Sequence, residues 1–479
     1  MINRRDFVKR WAAALESHSG SVFVGAGLSI SAGYPDWRRL LRDIAQELGL
    51  DISGEHDLAA VAQYSVNRSA GKRQKLKQAI IDHFPPKPIA PEVFQILARL
   101  PLRHVWTSNY DELIETAWHG ERKLADVKSQ NSDIGHEKPW AHTIIYKMHG
   151  SVTHPADVVI AKDDYELYRK VRPAFLQLLT GHLVSMQMLF LGFSFTDPNL
   201  SHLFASIRET FVNDGPTHYA IVRKPKQGTG VGSSKRYEVD KIRHALWIED
   251  LQRYGIECVE IEEYDEISEI LRDVELYLAR RSVLVSGSFP PTFDPDFLEE
   301  RKRVEDVAHR VGAEIAKQKM RLVSGYGLVV GSATIGGVLG VVLKEPAPNL
   351  DRSLLLRPFP LKAPEGVGRV EFQRSYRDAM VSHSGACIFI AGCKIVDGAL
   401  EIGTGVLDEF DSARAARRIC IPIGATGHAA ARIWKAVNAD RETLAPGIPK
   451  KLFLALNEQD ATPAQLANTV AEILDRIGG

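Results

Sequence analysis

Three polar residues stand where short β-rich runs end: Asn109 and Asp111 in "TSNYDELIE", and His149 in "YKMHGS". An imidazole can take a proton from water or from a sugar hydroxyl, and an amide can orient the molecule that gives it up. A fourth station, "FVGAGLSISAGYPDW" (Phe23 to Trp37), follows an apolar run and sets Gly25 and Gly27 ahead of Ser29. Glycines after a strand let backbone approach a phosphate, and N–H groups at a helix start favour its charge. The spacing is not the G-x-G-x-x-G of hydride-transfer enzymes. Directly beyond it, Tyr34-Pro35-Asp36-Trp37 offers a rigid, aromatic-tipped tail that could cover a bound nucleotide. Each signal has a plainer alternative, since glycine turns are common and a strand-terminal histidine is often structural. Taken together they point to nucleotide chemistry.

The elements that must position these residues are legible from pattern. Phe7, Trp11, Ala14 and Leu15 fall at helical spacing and predict an amphipathic opening helix. A strand follows at Ser21–Val24, then helical pattern at 38–48 and through 58–84, where "PPKP" stops it. Strands are predicted at His104–Thr107, in "HTIIYKMHGS", in "MLFLGF", in "HYAIV" and in "IECVEI". Asp197-Pro198 opens a helix, and "KPKQGTGVGSSKR", Lys224 to Arg236, reads as a mobile loop. Strands alternating with helices predict an α/β sheet with ligands at the carboxyl ends of its strands. The alternation restarts after a helix across 264–279, with "VLVSGSF", "RLVSGYG", "LLLRPFP", "GACIFIAG" and "RICIPIGATG". The expected division is therefore 1–281 and 282–479.

Composition sets outer limits. At 479 residues the chain is long enough for roughly two to four domains. Lys plus Arg balance Asp plus Glu at 60 each, which argues against a general nucleic-acid binder. The four cysteines, Cys258, Cys387, Cys393 and Cys420, include no C-x-x-C pair, so no metal site is expected and a reducing cytoplasm suits them. No secretory signal is read at the N-terminus. The uncharged run "GLVVGSATIGGVLGVVL", Gly327 to Leu343, is short and glycine-rich for a membrane span, and a buried helix after a loop is expected instead.

The second half repeats the turn chemistry. Ser286 and Gly287 follow one strand, and Ser324, Gly325, Gly327 and Gly331 follow the next. Arg377 and Lys394 are cations that could meet a diphosphate, and Glu409 is an acceptor suited to ribose hydroxyls. A Rossmann-like domain with merely solvated Arg and Lys is the alternative.

The order GAGLS…GYPDW, TSNYD, HG and GFS resembles the sirtuin family over roughly residues 10–270. That resemblance implies NAD as substrate, with Gly25, Ala26, Gly27 and Ser29 lining it. Asp36 and Trp37 would belong to the flexible loop over it, and Asn109 and Asp111 would lie at the nicotinamide ribose. His149 would stand as catalytic base, and Gly192 and Ser194 at the ribose–adenine end. Sirtuin deacylases carry two zinc-binding Cys pairs, but no cysteine precedes Cys258 here. A protein-lysine substrate is thus not expected, and water remains as acceptor. The second half resembles the SLOG family of Rossmann-like nucleotide sensors and nucleotide-cleaving enzymes. Relatives that cut nucleotides use P-G-G-x-G-T-x-x-E, whereas "EIGTGVLDE" has no such proline and sets Val406 where the threonine would stand, which favours binding.

A sirtuin-like half followed by a SLOG half is similar to the NADase effectors of Thoeris anti-phage defence. The resemblance implies activation by a cyclic ADP-ribose isomer at Ser286, Gly287, Arg377, Lys394 and Glu409. It further implies a TIR-domain partner that makes this signal, and a homo-oligomer of tetramer size or larger. Neither nucleic acid nor membrane enters this expectation. The alternatives are an NAD-dependent protein deacylase and a non-enzymatic nucleotide sensor.

Overall fold

The computed structural model describes every residue except Pro88, Thr196, 211–214, 228–232, Leu361 and Gly479. The chain forms two compact units, Met1–Glu275 and Leu276–Gly479.

The first unit is built on a sheet of β1 (Gly20–Val24), β2 (His104–Thr107), β3 (Ala125–Lys128), β4 (Thr143–Lys147), β5 (Gln187–Leu191), β6 (His218–Arg223) and β7 (Ile256–Ile261). The order is β3-β4-β2-β1-β5-β6-β7, and every neighbouring pair is parallel. Helices cover both faces, so β1 and β4 are buried along their whole length and are largely apolar, with Ser21 and Lys147 buried among them. Phe23, Trp106, Tyr146 and Phe190 anchor one layer of the core, with Trp106 stacked on Tyr146 at 4.3 Å. From β1 the chain builds the sheet in one direction and from β5 in the other. That reversal places a crevice beyond the carboxyl ends of β1 and β5, where open α/β sheets bind ligands.

Two local expectations change. The helical pattern over 58–84 is two helices, Leu58–Arg68 and Gln74–His83. Gly71, at φ +82°, separates them, and its N–H closes the first on the Val66 carbonyl. Within Lys224–Arg236, residues 228–232 lie outside those described, and a helix, Ser233–Gln252, already occupies the end of the expected loop.

His218 opens β6 in full burial and accepts the Met188 N–H on Nδ1 at 3.2 Å. Burial holds its pKa down at about 4, against a raising effect from a backbone hydrogen bond at Leu183. An unfolded histidine titrates near about 6.5. The neutral ring therefore contributes stability that is complete above that pH and is lost as pH falls towards 4. Wild-type protein should lose on the order of 3 kcal/mol more between pH 7 and pH 4 than His218→Gln, whose amide oxygen can still accept from Met188. Parallel denaturation profiles for the two proteins would show that the group contributes nothing.

The second unit contains β8 (Ser282–Ser288), β9 (Arg321–Ser324), β10 (Leu354–Leu356), β11 (Ala386–Ala391), β12 (Cys393–Val396), β13 (Ala399–Ile402) and β14 (Ile419–Ile423). Five of them make a parallel sheet in the order β10-β9-β8-β11-β14, and β12 and β13 form a separate antiparallel hairpin. Its two-residue turn is Asp397-Gly398, both at positive φ, as a primed hairpin turn requires. The uncharged glycine-rich run becomes the helix Val330–Val342, packed on Pro295–Lys317. A Cβ on Gly312 would lie 2.0 Å from the Thr334 carbonyl, and one on Gly337 1.9 Å from the His309 carbonyl. The glycines are there because two helix backbones touch. The helix is buried on one face only, a partial departure from the expected buried helix. No helix among the described residues is long and apolar enough to cross a membrane.

Candidate active site

The turn after β1 and the turn after β5 cross in direct backbone contact. The Gly25 N–H donates to the Leu191 carbonyl (2.8 Å) and the Gly27 N–H to the Gly192 carbonyl (2.9 Å). A Cβ on Gly25 would fall 2.4 Å from the Gly192 oxygen, and one on Gly27 2.8 Å from it. Gly192, at φ +61°, has no room either, its Cβ falling 2.4 Å from the Leu28 nitrogen. For Gly25 and Gly27 the expectation from sequence is close approach of a pyrophosphate. In the fold both are demanded by the crossing, and the N–H groups of both are engaged by carbonyls.

The crossing forms one wall of a cavity of about 630 Å³, within the range of roughly 300–1,000 Å³ usual for small-molecule sites. Ala26, Gly27, Ser29, Asp36 and Trp37 line it, as do Asn109, Asp111, His149, Gly192 and Ser194. Gly25 stands behind this wall, and its carbonyl accepts from Asn109.

Asn109 follows β2, held by the Thr107 hydroxyl, which accepts the Asn109 N–H at 2.9 Å. Its Nδ2 donates to the Gly25 carbonyl (3.1 Å) and to Ser29 Oγ (2.9 Å). A carbonyl can only accept, so this contact fixes the orientation of the amide. Oδ1 is left buried with no hydrogen-bond partner among the described residues. A buried acceptor without a donor is costly, and Asn109 is one of the residues that line the cavity.

Asp111 sits below Asn109. Its Oδ2 accepts the Ser29 hydroxyl (2.8 Å) and its Oδ1 the Leu113 N–H (3.1 Å). Burial raises its pKa, against the lowering effects of Lys147 and of these hydrogen bonds. Lys147, fully buried on β4, donates to the Asp111 carbonyl and pairs with Glu115 at 2.8 Å. Asp111 thus braces Ser29, which braces Asn109. Lys147 was missed from sequence because a lysine inside a strand reads as an edge residue until the sheet buries it.

His149 lies just past β4, its carbonyl accepting the Val159 N–H at 2.9 Å. The segment after it folds back as a cover: the Tyr110 hydroxyl donates to the Val159 carbonyl (2.7 Å) and the Tyr168 hydroxyl to the Met148 carbonyl (2.8 Å). Arg172 closes this cover, donating to the Ser129 and Asp157 carbonyls at 2.7 and 2.6 Å. Hydrogen bonds to backbone carbonyls thus shape the segment that packs over the histidine. Among the described residues no group of three His, Cys, Asp or Glu side chains could hold a metal.

Asp36 caps the helix Trp37–Leu40, its Oδ1 accepting the Arg39 N–H at 2.7 Å. Trp37 packs against Tyr165 at 6.0 Å, and its buried Nε1 has no hydrogen-bond partner among the described residues. Tyr165, Asp197, Trp247 and Tyr264 also line the cavity and were not singled out from sequence as site residues. The "FTDPN" stretch carried a signal for Asp197, but Asp-Pro reads first as a helix start.

In the second unit, Gly287 and Gly327 repeat the glycine crossing: a Cβ on Gly327 would lie 2.0 Å from the Gly287 carbonyl. Beyond it Val329 holds φ +63° and ψ −58°, a strained γ-turn closed by the Val330 N–H on the Leu328 carbonyl at 2.7 Å. Arg377 meets Asp408 at 3.3 Å, lies over the Phe359 ring at 4.6 Å, and among the described residues its buried Nε has no hydrogen-bond partner. Burial raises the Glu409 pKa, opposed by the Ser286 hydroxyl and the Arg377 guanidinium. The Ser286 hydroxyl is near enough for this but makes no aligned hydrogen bond. Ser286, Arg377 and Glu409 thus gather beside the β8 turn. Lys394 is exposed on β12, opposite Glu401, and among the described residues it makes no ion pair with Asp408 or Glu409.

Comparison with known proteins follows the same division. A profile for a SIR2-like domain matches residues 103–247, and one for the Sir2- and TIR-associating SLOG family matches 266–477. The chain is 37% identical to NAD(+) hydrolase ThsA of Bacillus cereus (strain MSX-D12), over 98% of this chain and 97% of the relative. It is 34% identical to NAD(+) hydrolase ThsA of Enterococcus faecium, over 99% of each. Similarity to the protein of that name from Cytobacillus dafuensis is 36% identity over 89% of this chain and 87% of the relative.

Proposed function

Because this chain belongs to the ThsA family of two-part proteins, a SIR2-like domain followed by a SLOG domain, we propose that it hydrolyses NAD to nicotinamide and ADP-ribose. The observation that carries this reading is the orphaned acceptor, Asn109 Oδ1, in one cavity with His149. A water molecule donating to Oδ1 is held with a lone pair free for the ribose carbon. As its oxygen bonds to that carbon, the glycosidic C–N bond breaks and its electron pair returns to the pyridinium nitrogen. Nicotinamide leaves neutral, so no acid is needed on it. The water proton passes to His149 and then to solvent. Covalent count closes: NAD and water give nicotinamide, ADP-ribose and one proton. The cover over His149 excludes bulk water, which strengthens each of these contacts.

In the same reading the second unit governs the first. Ser286, Gly287, Arg377 and Glu409, with Lys394 at their margin, take a cyclic ADP-ribose isomer whose pyrophosphate meets the Arg377 guanidinium. A TIR-domain protein supplies that signal, and NAD depletion is the output, as an anti-phage response in the cytoplasm. The active form is a homo-oligomer.

Purified full-length protein should release nicotinamide from NAD when cyclic ADP-ribose isomers are added, with no acyl-lysine peptide present and no zinc by elemental analysis. Release that requires an acylated peptide would make it a deacylase. Binding of NAD without turnover under every condition would make it a sensor.

A further inference from the structure

Asp197 has a second role beyond starting a helix. Its Oδ1 accepts the N–H groups of Asn199 (2.8 Å) and Leu200 (3.2 Å), which caps the helix Pro198–Thr210. Its Oδ2 lies 3.0 Å from His149 Nε2, with both side chains less than a tenth exposed. A cap alone does not require the second oxygen to face an imidazole inside a cavity. Asn or Ser would cap the helix equally well.

We propose that Asp197 is a positioning residue for His149, fixing the proton on Nε2 so that Nδ1 carries the lone pair that takes the proton in NAD hydrolysis. This rests on the hydrolase reading above. The contact is short but oblique to the ring N–H, a geometry that commonly tightens only when substrate is bound. Other groups facing the imidazole are Tyr165 and Tyr168, with ring centroids at 5.5 and 6.2 Å. Burial pushes both phenols above their ordinary range, so both stay neutral. Among the described residues Asp197 is the one charged group within ion-pair distance of His149. Burial works against its charge, but His149 and the two capping N–H groups outweigh that and hold its pKa below the usual carboxylate value. When the water proton arrives at Nδ1, the imidazolium lies against a carboxylate that remains ionised. No proton moves onto Asp197.

The test compares Asp197→Asn and Asp197→Ser with wild type and His149→Ala as full chains, each with cyclic ADP-ribose isomers added, measuring NAD cleavage and thermal melting. Asparagine presents an N–H to Nε2 and favours the wrong tautomer, while serine removes the partner; both keep the cap. The expected result for each is a fall in kcat of about a hundredfold or more, on the way to the roughly 10⁴ seen when the acid of a Ser-His-Asp triad becomes an amide. KM for NAD should change less than about threefold, since the carboxylate acts through His149. A kcat within about fivefold of wild type in either variant, with His149→Ala inactive, reduces Asp197 to a helix cap. Loss of the melting transition in both variants assigns it a structural role and overturns the proposal equally. If wild-type protein itself cleaves no NAD, the hydrolase reading falls and this inference with it.

Discussion

Asn109→Ala and His149→Ala are each expected to abolish measurable NAD hydrolysis while the protein still folds. For His149 the argument is chemical. Removing a positioned general base costs roughly 10²–10⁴ in rate, and among the described residues no second imidazole lines the cavity to replace it. For Asn109 it is geometric. The two hydrogen bonds from the amide to the β1 turn fix its orientation, and alanine removes the buried Oδ1 together with that orientation. Loss of a preorganised polar group at a reacting centre costs about 10²–10³. Alanine also leaves the buried Gly25 carbonyl and Ser29 without their donor, at about 1–3 kcal/mol of stability, small enough for the fold to survive. Nicotinamide release by each variant, beside its melting curve, decides the matter. Near wild-type turnover from either one would remove that residue from the mechanism.

Arg377→Ala is expected to raise the activator concentration needed for half-maximal NAD cleavage about ten- to hundredfold. Its guanidinium is largely buried, stacked on Phe359 and paired with a half-exposed Asp408, so it is preorganised and only lightly neutralised. One charge-assisted hydrogen bond to a pyrophosphate contributes roughly 1.5–3 kcal/mol, which sets the size of the shift. Activity without activator should not change. A ligand moves an equilibrium only by binding one state better than another, and Arg377→Ala weakens the ligand without touching the active residues. Titrating a cyclic ADP-ribose isomer against NAD cleavage gives the answer. An unmoved midpoint, or a variant inactive at saturating activator, would exclude a sensing role for this side chain.

What the sequence determined by itself is local. Strands that are buried on both faces are rich in apolar and β-branched residues, so β1, β2 and β4 could be read directly despite the lysine in β4, and with them the polar residues that follow their ends. A parallel sheet gathers all its carboxyl ends on one edge, which is why Asn109, Asp111 and His149 could be placed together with no contact known. The Asp397-Gly398 turn and the Gly71 helix stop also carry local signals, an Asp-Gly pair in the first case and a glycine inside a helical pattern in the second. What only tertiary structure decided is which atoms face which. Pattern could not distinguish a glycine that admits a phosphate from one that admits another backbone, since both require only the absence of a Cβ. Gly25 and Gly27 against Gly192, and Gly312 and Gly337 between two helices, are of the second kind. Nor could it show that Asp197 serves two elements, one oxygen on a helix start and the other on His149, forty-eight residues earlier. Pairings across such separations depend on strand order, and strand order is a property of the folded sheet alone.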